Sequence, residues 1–355
     1  MRSFASRLIP AALPILALAV GCQDQKYNVI TKTEVFQQAP SNEVDILWIV
    51  DNSTSMVQEQ TAVANGAASF IGHLESTGMD FHIGVVTTDL SSTNPKAAAL
   101  VGPYASSATP GYQQLFASQV QVGTGGSDQE KGMQAAAEAL TPPMSQQANI
   151  GFLRDEASLA IVVVSDENDC SDNGALGPTS TGDDCYTQYS KLTPIPDLVS
   201  QFREIKKGSP GQLTFSGIIG PDAVDGCSTA VPGKRYATAI QMIGGVRANI
   251  CDADYTGIMD SLGLIAAGVL DTFALTYLAQ DDGSIAVHVN DADGNEVTAD
   301  EVEDATNGWT YEEAADQTSA SIVFHGAAVP PRGAEITVHY TFAGNLATTV
   351  DTGGS

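Results

Sequence analysis

Basic residues are scarce in this 355-residue chain. Lysine and arginine together number 15 against 42 aspartates and glutamates, which gives a formal net charge of −27 at pH 7. A surface of this sign repels the phosphates of nucleic acids and the headgroups of anionic lipids. The composition therefore excludes nucleic acid as an expected partner, and a bound cation would relieve repulsion wherever the carboxylates gather.

Several catalytic and cofactor motifs are missing. The sequence contains no Gly-x-x-x-x-Gly-Lys-Ser/Thr phosphate loop and no Gly-x-Ser-x-Gly nucleophile turn. It contains no Cys-x-x-Cys pair, and its five histidines are scattered. Zinc is therefore the less favoured use of the cysteines. These absences argue against a nucleotide-binding loop and against a serine-nucleophile hydrolase.

Cysteine is rare, and the first of the five has its own context. Residues 1–22 carry two arginines, no acid and an apolar stretch from Leu8 to Val20, which is the build of a secretory signal too short to span a membrane. Ala19-Val-Gly-Cys22 resembles a bacterial lipobox, with alanine in place of the usual leucine. We expect lipidation at Cys22 and anchoring by acyl chains, in the outer membrane because Gln23 follows. An ordinary signal peptide with a chance cysteine is the alternative.

The other four cysteines are an even number, which suits two disulfides in an oxidising compartment. They allow three pairings. The sequential pairing is favoured, because each pair then closes a polar, glycine-containing loop that has little core of its own. It joins Cys170 to Cys185 and Cys227 to Cys251.

Apolar runs alternate with helical spacings over residues 43–272. Apolar stretches predict buried strands at 44–50, 81–87, 159–164 and 213–219. Helical patterns lie between them at 133–140 and 195–205, and a last helix is predicted over 258–270. The long segment 90–121 shows little periodicity and is predicted to be a surface excursion that influences specificity. This order predicts an α/β unit built on a doubly wound, mostly parallel sheet.

Short alternating strands follow that unit. They are predicted at 284–290, 308–312, 321–325 and 334–342, with turn sequences at Asp291-Ala-Asp-Gly294 and Pro330-Pro-Arg-Gly333. The first of these turns lacks the downstream acids of a calcium loop, so a hairpin turn is the better interpretation. The pattern predicts a small antiparallel β domain over 273–350, packed beside the first unit. Residues 23–42 are predicted to be a tether.

A polar motif ends the first predicted strand of the α/β unit. In Val44-Asp-Ile-Leu-Trp-Ile-Val-Asp51-Asn-Ser53-Thr-Ser55, one carboxylate and two hydroxyls follow a buried strand. The carboxyl ends of parallel strands are where open α/β sheets bind ligands, and these oxygens are the hard ligands that magnesium prefers. The alternative is that Ser53 or Ser55 only caps the next helix.

This Asp-x-Ser-x-Ser motif resembles the start of the metal-ion-dependent adhesion site of von Willebrand factor A domains, and the resemblance covers residues 43–272. It implies a divalent ion, Mg²⁺ or else Mn²⁺ or Ca²⁺, whose coordination is completed by an acidic side chain of a partner protein. In the family a third loop adds an aspartate after the fourth strand, a position that Asp166 matches. Glu167 stands where glycine is usual, which leaves the choice between magnesium and calcium open. A solvated acidic loop is the alternative.

The second loop of the family pattern matches less closely. The family places a threonine shortly before a helix start, and the stretch 122–133 offers Ser127 first, then Thr124, with Glu130 acting through water. Turn formation would explain its glycines equally well. Thr87, Thr88 and Asp89 end a neighbouring predicted strand and are candidates, with Glu167, for the rim of the ligand surface. A cap or turn is the commoner role for such residues.

The resemblance implies a binding or adhesion protein, not an enzyme, in which the metal bridges to a carboxylate of the partner. Two alternatives are weighed against it. In a metal-dependent hydrolase, magnesium would polarise a phosphoryl or carbonyl group and the acidic loop would supply the base. In a structural scaffold, the ion would only hold three loops together. A base beside the open metal position would favour the hydrolase, whereas a shallow open rim would favour binding.

Overall fold

The computed structural model describes residues 28–38, 41–177, 179–206, 213–222, 227, 230–268, 270–280, 284–297, 304, 306–313 and 320–344. The predicted signal segment and the predicted lipidation site at Cys22 lie outside these residues. Within them, no helix combines the length and the apolar character needed to cross a membrane.

The described residues form twelve strands and seven α-helices. The strands are β1 (Asn28–Gln37), β2 (Glu43–Val50), β3 (Asp80–Thr87), β4 (Ala105–Ser106), β5 (Ser158–Ser165), β6 (Leu213–Ile219), β7 (Arg247–Asn249), β8 (Thr272–Leu275), β9 (Ala286–Asn290), β10 (Trp309–Glu313), β11 (Ala320–Phe324) and β12 (Glu335–Gly344). The helices are α1 (Val57–Ser76), α2 (Tyr112–Gln119), α3 (Gly132–Leu140), α4 (Gly182–Thr187), α5 (Ile195–Ile205), α6 (Lys234–Ile243) and α7 (Thr256–Ala266).

Strands β2 to β7 form one six-stranded sheet in the order β4-β3-β2-β5-β6-β7. All neighbours are parallel except the short edge strand β4. The strands predicted at 44–50, 81–87, 159–164 and 213–219 correspond to β2, β3, β5 and β6, so the predicted α/β fold with a mostly parallel sheet is confirmed. Strand β2 lies between β3 and β5, and its last residue, Val50, is in register with Thr87 and Val164. The residues that follow these three strands therefore meet at one edge.

Helices cover both faces of this sheet. Helices α1, α2 and α7 share one hydrophobic cluster with the strands, and α3, α5 and α6 share another. Segment 90–121 is not only a surface excursion, because it contains α2. The Phe116 ring of α2 is fully buried and lies 5.2 Å from the Trp48 ring and 5.8 Å from the Phe70 ring, centroid to centroid. Because most residues of the segment are small, the sequence pattern did not reveal the helix that the large Phe116 side chain holds against the core.

The last five strands, β8 to β12, and β1 build the second unit. Two three-stranded sheets, β1-β12-β9 and β10-β11-β8, have antiparallel pairing throughout. Apolar side chains from both sheets belong to one hydrophobic cluster, so the unit is a small sandwich. The turn predicted at 291–294 is confirmed, since Asp291 Oδ1 accepts the backbone N–H groups of Asp293 and Asn295 at 3.0 and 2.8 Å.

The prediction of a tether over residues 23–42 is wrong for residues 28–37. These ten residues form β1, which pairs with β12 from Asn28 opposite Gly344 to Gln37 opposite Glu335. Its valines, isoleucine and threonines favour an extended backbone, and Phe36 packs against Phe273 with ring centroids 5.4 Å apart. Strand β1 needs a partner more than 290 residues away in the chain, and local pattern gave no sign of that partner.

Candidate metal-binding site

Asp51 is fixed at the carboxyl end of β2. Its side chain is fully buried. Oδ1 accepts the backbone N–H of Ser53 at 2.7 Å, and Oδ2 accepts the Ser165 hydroxyl at 2.6 Å. Because Ser165 ends the neighbouring strand β5, these bonds join the first and third loops. Burial raises the pKa of Asp51 to about 6.

Ser53 and Ser55 lie between this strand and α1. The N-cap residue of α1 is Met56, and no side chain caps the helix. The two hydroxyl oxygens are 3.2 Å apart, and the Ser55 side chain lies near enough to Asp166 to oppose the rise that burial causes in the pKa of that carboxyl. Because no side chain caps α1, the helix-cap alternative is wrong for both serines.

Asp166 brings a second carboxylate to this edge. It follows β5 and is 4% exposed. Its Oδ1 is buried and has no hydrogen-bond partner among the described residues, and burial raises its pKa. The neighbouring backbone is held by Val231, whose N–H donates to the Asp166 carbonyl at 2.7 Å. Asp166 is therefore a rigidly placed acid with a free oxygen.

The other acids of the third loop are already partnered. Asp169 Oδ2 is 3.0 Å from Arg235 Nε, and Asp172 Oδ1 is 2.7 Å from Lys131 Nζ. Glu167 accepts the Tyr186 hydroxyl at 3.0 Å. Because Asp169 and Asp172 are also buried, this stretch is not a solvated acidic loop. These contacts distinguish Asp166, with which no base among the described residues pairs, from Asp169 and Asp172. No pattern in the sequence indicated a role for Arg235.

In the second loop the structure places Glu130 within the electrostatic influence of Asp51. Its side chain is 2% exposed, and its Oε1 has no partner among the described residues. Burial, together with the negative charges of Asp51 and Glu167, raises the pKa of Glu130 to about 9. Ser127 accepts the Gln129 backbone N–H at 3.1 Å, as in a turn, and Thr124 lines a neighbouring cleft. The ranking of Ser127 and Thr124 ahead of Glu130 therefore has no support in these contacts.

Gln60 connects the first and second loops, a role that the sequence-based predictions did not include. Its buried Nε2 donates to the carbonyls of Asp51 and Gly123, both at 2.9 Å, and its Oε1 accepts the Gly123 N–H at 3.2 Å. A signal existed, because Gln60 occupies the apolar face of α1 between Met56 and Val63. A polar residue at such a position must find partners inside the protein.

Two disulfides close the loops beside the site, and the sequential pairing is confirmed. Cys170 joins Cys185, with Cα atoms 5.3 Å apart, and Cys227 joins Cys251, with Cα atoms 5.6 Å apart. The Cys170 backbone N–H also donates to the Glu130 carbonyl at 2.7 Å. This hydrogen bond joins the second loop to the third at the residue that the first disulfide holds.

The donor set fits a hard divalent cation. Within the described chain, no three His, Cys, Asp or Glu side chains form a ready-made metal cage. The candidate site instead combines the Asp51 and Asp166 carboxylates with the Ser53 and Ser55 hydroxyls, and Glu130 lies close enough to feel both charges. The unpartnered buried oxygens of Asp166 and Glu130 leave two acceptors for an ion to satisfy.

A second motif of the same type supplies an internal comparison. Asp89-Leu-Ser91-Ser-Thr93 follows β3, the parallel neighbour of β2. Asp89 Oδ1 accepts the Ser91 N–H at 2.8 Å, and the Ser91 and Thr93 hydroxyl oxygens are 3.1 Å apart. This is the local geometry of Asp51, Ser53 and Ser55, but the charge of Asp51 also raises the pKa of the buried Glu130. The motif alone therefore makes a turn, and the converging carboxylates distinguish the Asp51 site.

Three of the four predicted rim residues, Thr87, Thr88 and Asp89, lie at the end of β3, whereas Glu167 lies in the third loop. Thr87 and Asp89 line a cleft of about 450 Å³ together with Asn52 and Thr124. Thr88 is 1% exposed, and its hydroxyl has no partner among the described residues. Its carbonyl accepts the Lys131 N–H at 3.0 Å, which holds the second loop against β3.

Comparisons with known proteins find structural similarity at low sequence identity. No family model matches the chain, and no curated protein sequence matches it. Among solved structures it is similar to the pilus adhesin SpaC of Lactobacillus rhamnosus GG, with 12% identity, a TM-score of 0.42, and coverage of 88% of this chain and 41% of that chain. It is similar to a von Willebrand factor type A protein of Catenulispora acidiphila, with 14% identity, a TM-score of 0.36, and coverage of 91% and 68%. It is also similar to the pilus adhesin RrgA of Streptococcus pneumoniae, with 12% identity, a TM-score of 0.31, and coverage of 89% and 58%. The chain thus spans well under two thirds of the length of either adhesin.

Proposed function

We propose that this protein is a von Willebrand factor A-type binding protein that binds a carboxylate of a partner protein through a divalent cation. Asp51, Ser53, Ser55 and Asp166 would hold the ion, with Glu130 as the second-loop contribution. Magnesium is the preferred ion, because carboxylates and hydroxyls on a sheet edge suit it, and manganese or calcium are the alternatives to be tested.

One observation carries this proposal. Asp51, Asp166 and Glu130 converge from three loops, all are buried, and no base among the described residues pairs with any of them. Elsewhere in the same loops every buried acid has its cation, as Asp169 has Arg235 and Asp172 has Lys131. Buried acids without a basic partner are costly to ionise, in line with the raised pKa values of Asp51 and Glu130. The chain keeps these acids at the edge where α/β sheets bind ligands.

The residues around the ion would hold it in a fixed shape. Asp51 is oriented by Ser53 and Ser165, and Gln60 ties its backbone to the second loop. Ser53 is half-buried and Ser55 is exposed, so the first loop lies open to an approaching partner. A bound magnesium ion would supply an open coordination position for one oxygen of the partner's carboxylate. The proposed role is binding, not catalysis.

Removal of divalent cations is expected to destabilise the protein. A ligand that binds only the folded state adds about 2.7 kcal/mol to the free energy of unfolding when its concentration is 100 times its Kd. Chemical denaturation at pH 7.5 in saturating magnesium and in EDTA should show a difference of that size. Asp166→Asn is the control, because its two denaturation curves should coincide. Coincident curves for the unsubstituted protein would contradict the proposal.

Binding of an acidic peptide distinguishes a partner-binding role of the ion from a purely structural one. If the ion only holds the loops together, EDTA lowers stability but no acidic protein or peptide binds in a magnesium-dependent manner. If the proposal holds, a capped peptide with a single aspartate competes with free acetate for the magnesium-loaded protein. The peptide should not compete when asparagine replaces its aspartate.

Disulfides are typical of exported proteins, and this chain has two. We further propose that the protein is lipid-anchored at Cys22, in the outer membrane. Cys22→Ala in the full-length gene should move the protein from the detergent-extracted membrane fraction to the aqueous fraction, because the acyl chains that hold it would be lost. Mass spectrometry of the N-terminal peptide would show the acylated cysteine. An unmodified N-terminus on a membrane-free protein would contradict the anchor.

A further inference from the structure

A cleft of about 450 Å³ opens beside the candidate metal site. One side is formed by Asn52, the residue after Asp51, and by Thr124 in the second loop. The Asn52 carbonyl also accepts the Gly126 N–H at 2.8 Å. The cleft and the metal-site loops are therefore parts of one surface, and the volume is that of a small-ligand pocket.

Polar side chains make up about half of the cleft lining, and the remaining lining residues are small apolar residues and glycines. The polar lining consists of threonines, asparagines, one aspartate and one lysine: Thr87, Thr93, Thr124, Asn52, Asn94, Asp89 and Lys96. The acid in this set, Asp89, is 7% exposed and already accepts the Ser91 N–H. Lys96 is the basic residue of the lining, and its side chain is exposed.

The wall that carries Lys96 is held by its own hydrogen bonds. Asn94 Nδ2 donates to the Asp89 carbonyl at 2.7 Å, and the Asn94 N–H donates to the Ser91 carbonyl at 3.0 Å. The Lys96 N–H in turn donates to Asn94 Oδ1 at 3.0 Å. A wall fixed in this way loses little conformational freedom when a ligand binds.

Lys96 also differs from three bases of the α/β unit that form ion pairs with buried acids. Lys131, Arg154 and Arg235 are committed to Asp172, Asp45 and Asp169. The Lys96 ammonium makes no ion pair among the described residues. In a chain of net charge −27, an uncommitted ammonium beside a proposed cation site gives an approaching anion a second favourable contact.

We infer that this cleft is a second subsite for the same partner and that it takes an acidic side chain paired with Lys96. The partner is then an extended acidic segment with two carboxylates a few residues apart, the first at the metal and the second in the cleft. The Thr87 and Thr124 hydroxyls can donate to the second carboxylate. This inference rests on the proposed metal-dependent binding, because the metal positions the first carboxylate.

The test uses the magnesium-saturated protein and capped glycine-based peptides. One peptide carries a single aspartate, and three others carry a second aspartate one, two or three residues later. Calorimetry should find at least one two-aspartate peptide that binds about tenfold tighter than the single-aspartate peptide, since a charged hydrogen-bonded pair contributes about 1.5 kcal/mol. Lys96→Ala should remove that gain without changing affinity for magnesium or for the single-aspartate peptide.

Lys234→Ala is the matched control. Lys234 is an exposed lysine at the start of α6 and does not line the cleft, so its loss should leave the gain intact. The inference is overturned if no second aspartate increases peptide affinity, or if the increase persists in Lys96→Ala. Either result leaves the proposed metal site unaffected. A second bound magnesium that Asp89→Asn removes would make the cleft a cation site and also overturn it. If no magnesium binds at all, the proposed function and this inference fail together.

Discussion

Asparagine in place of Asp51 is expected to abolish magnesium binding while the protein stays folded. The substitution removes the one carboxylate that the first loop offers the ion, and such a loss should weaken binding by about 100-fold or more. The fold should survive because asparagine can keep both existing bonds. Its Oδ1 can accept the Ser53 N–H, and its Nδ2 can donate to the Ser165 hydroxyl oxygen, which now donates to Asp51.

The neighbouring motif gives this experiment an unusually close control. Asp89 makes the same turn with Ser91 and Thr93 that Asp51 makes with Ser53 and Ser55. Asp89→Asn removes the same charge from the same kind of loop one strand away, and magnesium affinity should not change. Calorimetry and circular dichroism on both variants check affinity and fold. Equal magnesium affinity in Asp51→Asn and the unsubstituted protein would show that Asp51 is not a ligand.

Methionine in place of Arg235 is expected to cause a large loss of stability. The Arg235 side chain is almost fully buried, and its Nε lies 3.0 Å from Asp169 Oδ2. Its Nη2 also donates to the Thr193 carbonyl at 2.7 Å. Removing the cation leaves a buried carboxylate without its partner, which typically costs about 3–5 kcal/mol. Because domains have only about 5–15 kcal/mol of stability, denaturant titration should show a much lower midpoint.

Two further variants distinguish the contribution of the buried ion pair to stability from the contribution of the arginine side chain's packing. Arg247→Met breaks the exposed pair of Arg247 with Asp222 and should cost less than about 1 kcal/mol. Arg235→Met combined with Asp169→Asn removes both buried charges and should recover part of the lost stability. A loss in Arg235→Met no larger than that in Arg247→Met would contradict the structural role assigned to the buried pair.

Much of the α/β unit could be predicted from the sequence. Strands β2, β3, β5 and β6 are buried on both faces and read as continuous apolar runs, a signal that needs no knowledge of neighbours. Helix α5 was predicted to its exact bounds because its three- and four-residue apolar steps are strong. Strand β1 could not be predicted as part of a sheet, because its partner β12 lies at the other end of the chain.

For the candidate site, the sequence indicated which loops meet but not which side chains face each other. Asp51 and Asp166 follow strands that are neighbours in the sheet, so their proximity follows from strand order. The choice among Thr124, Ser127 and Glu130 depends on the path of an irregular loop. That path is set by bonds from Gln60 and from the Cys170 backbone. Such long-range contacts leave no periodic signal in the sequence.

The most direct test of the central claim is a calorimetric titration of magnesium into the purified, disulfide-intact protein at pH 7.5. The account predicts saturable binding of one ion per chain, unchanged by Asp89→Asn and lost in Asp51→Asn and Asp166→Asn. Absence of saturable binding by the folded protein, or binding that survives both of the latter substitutions, would contradict it.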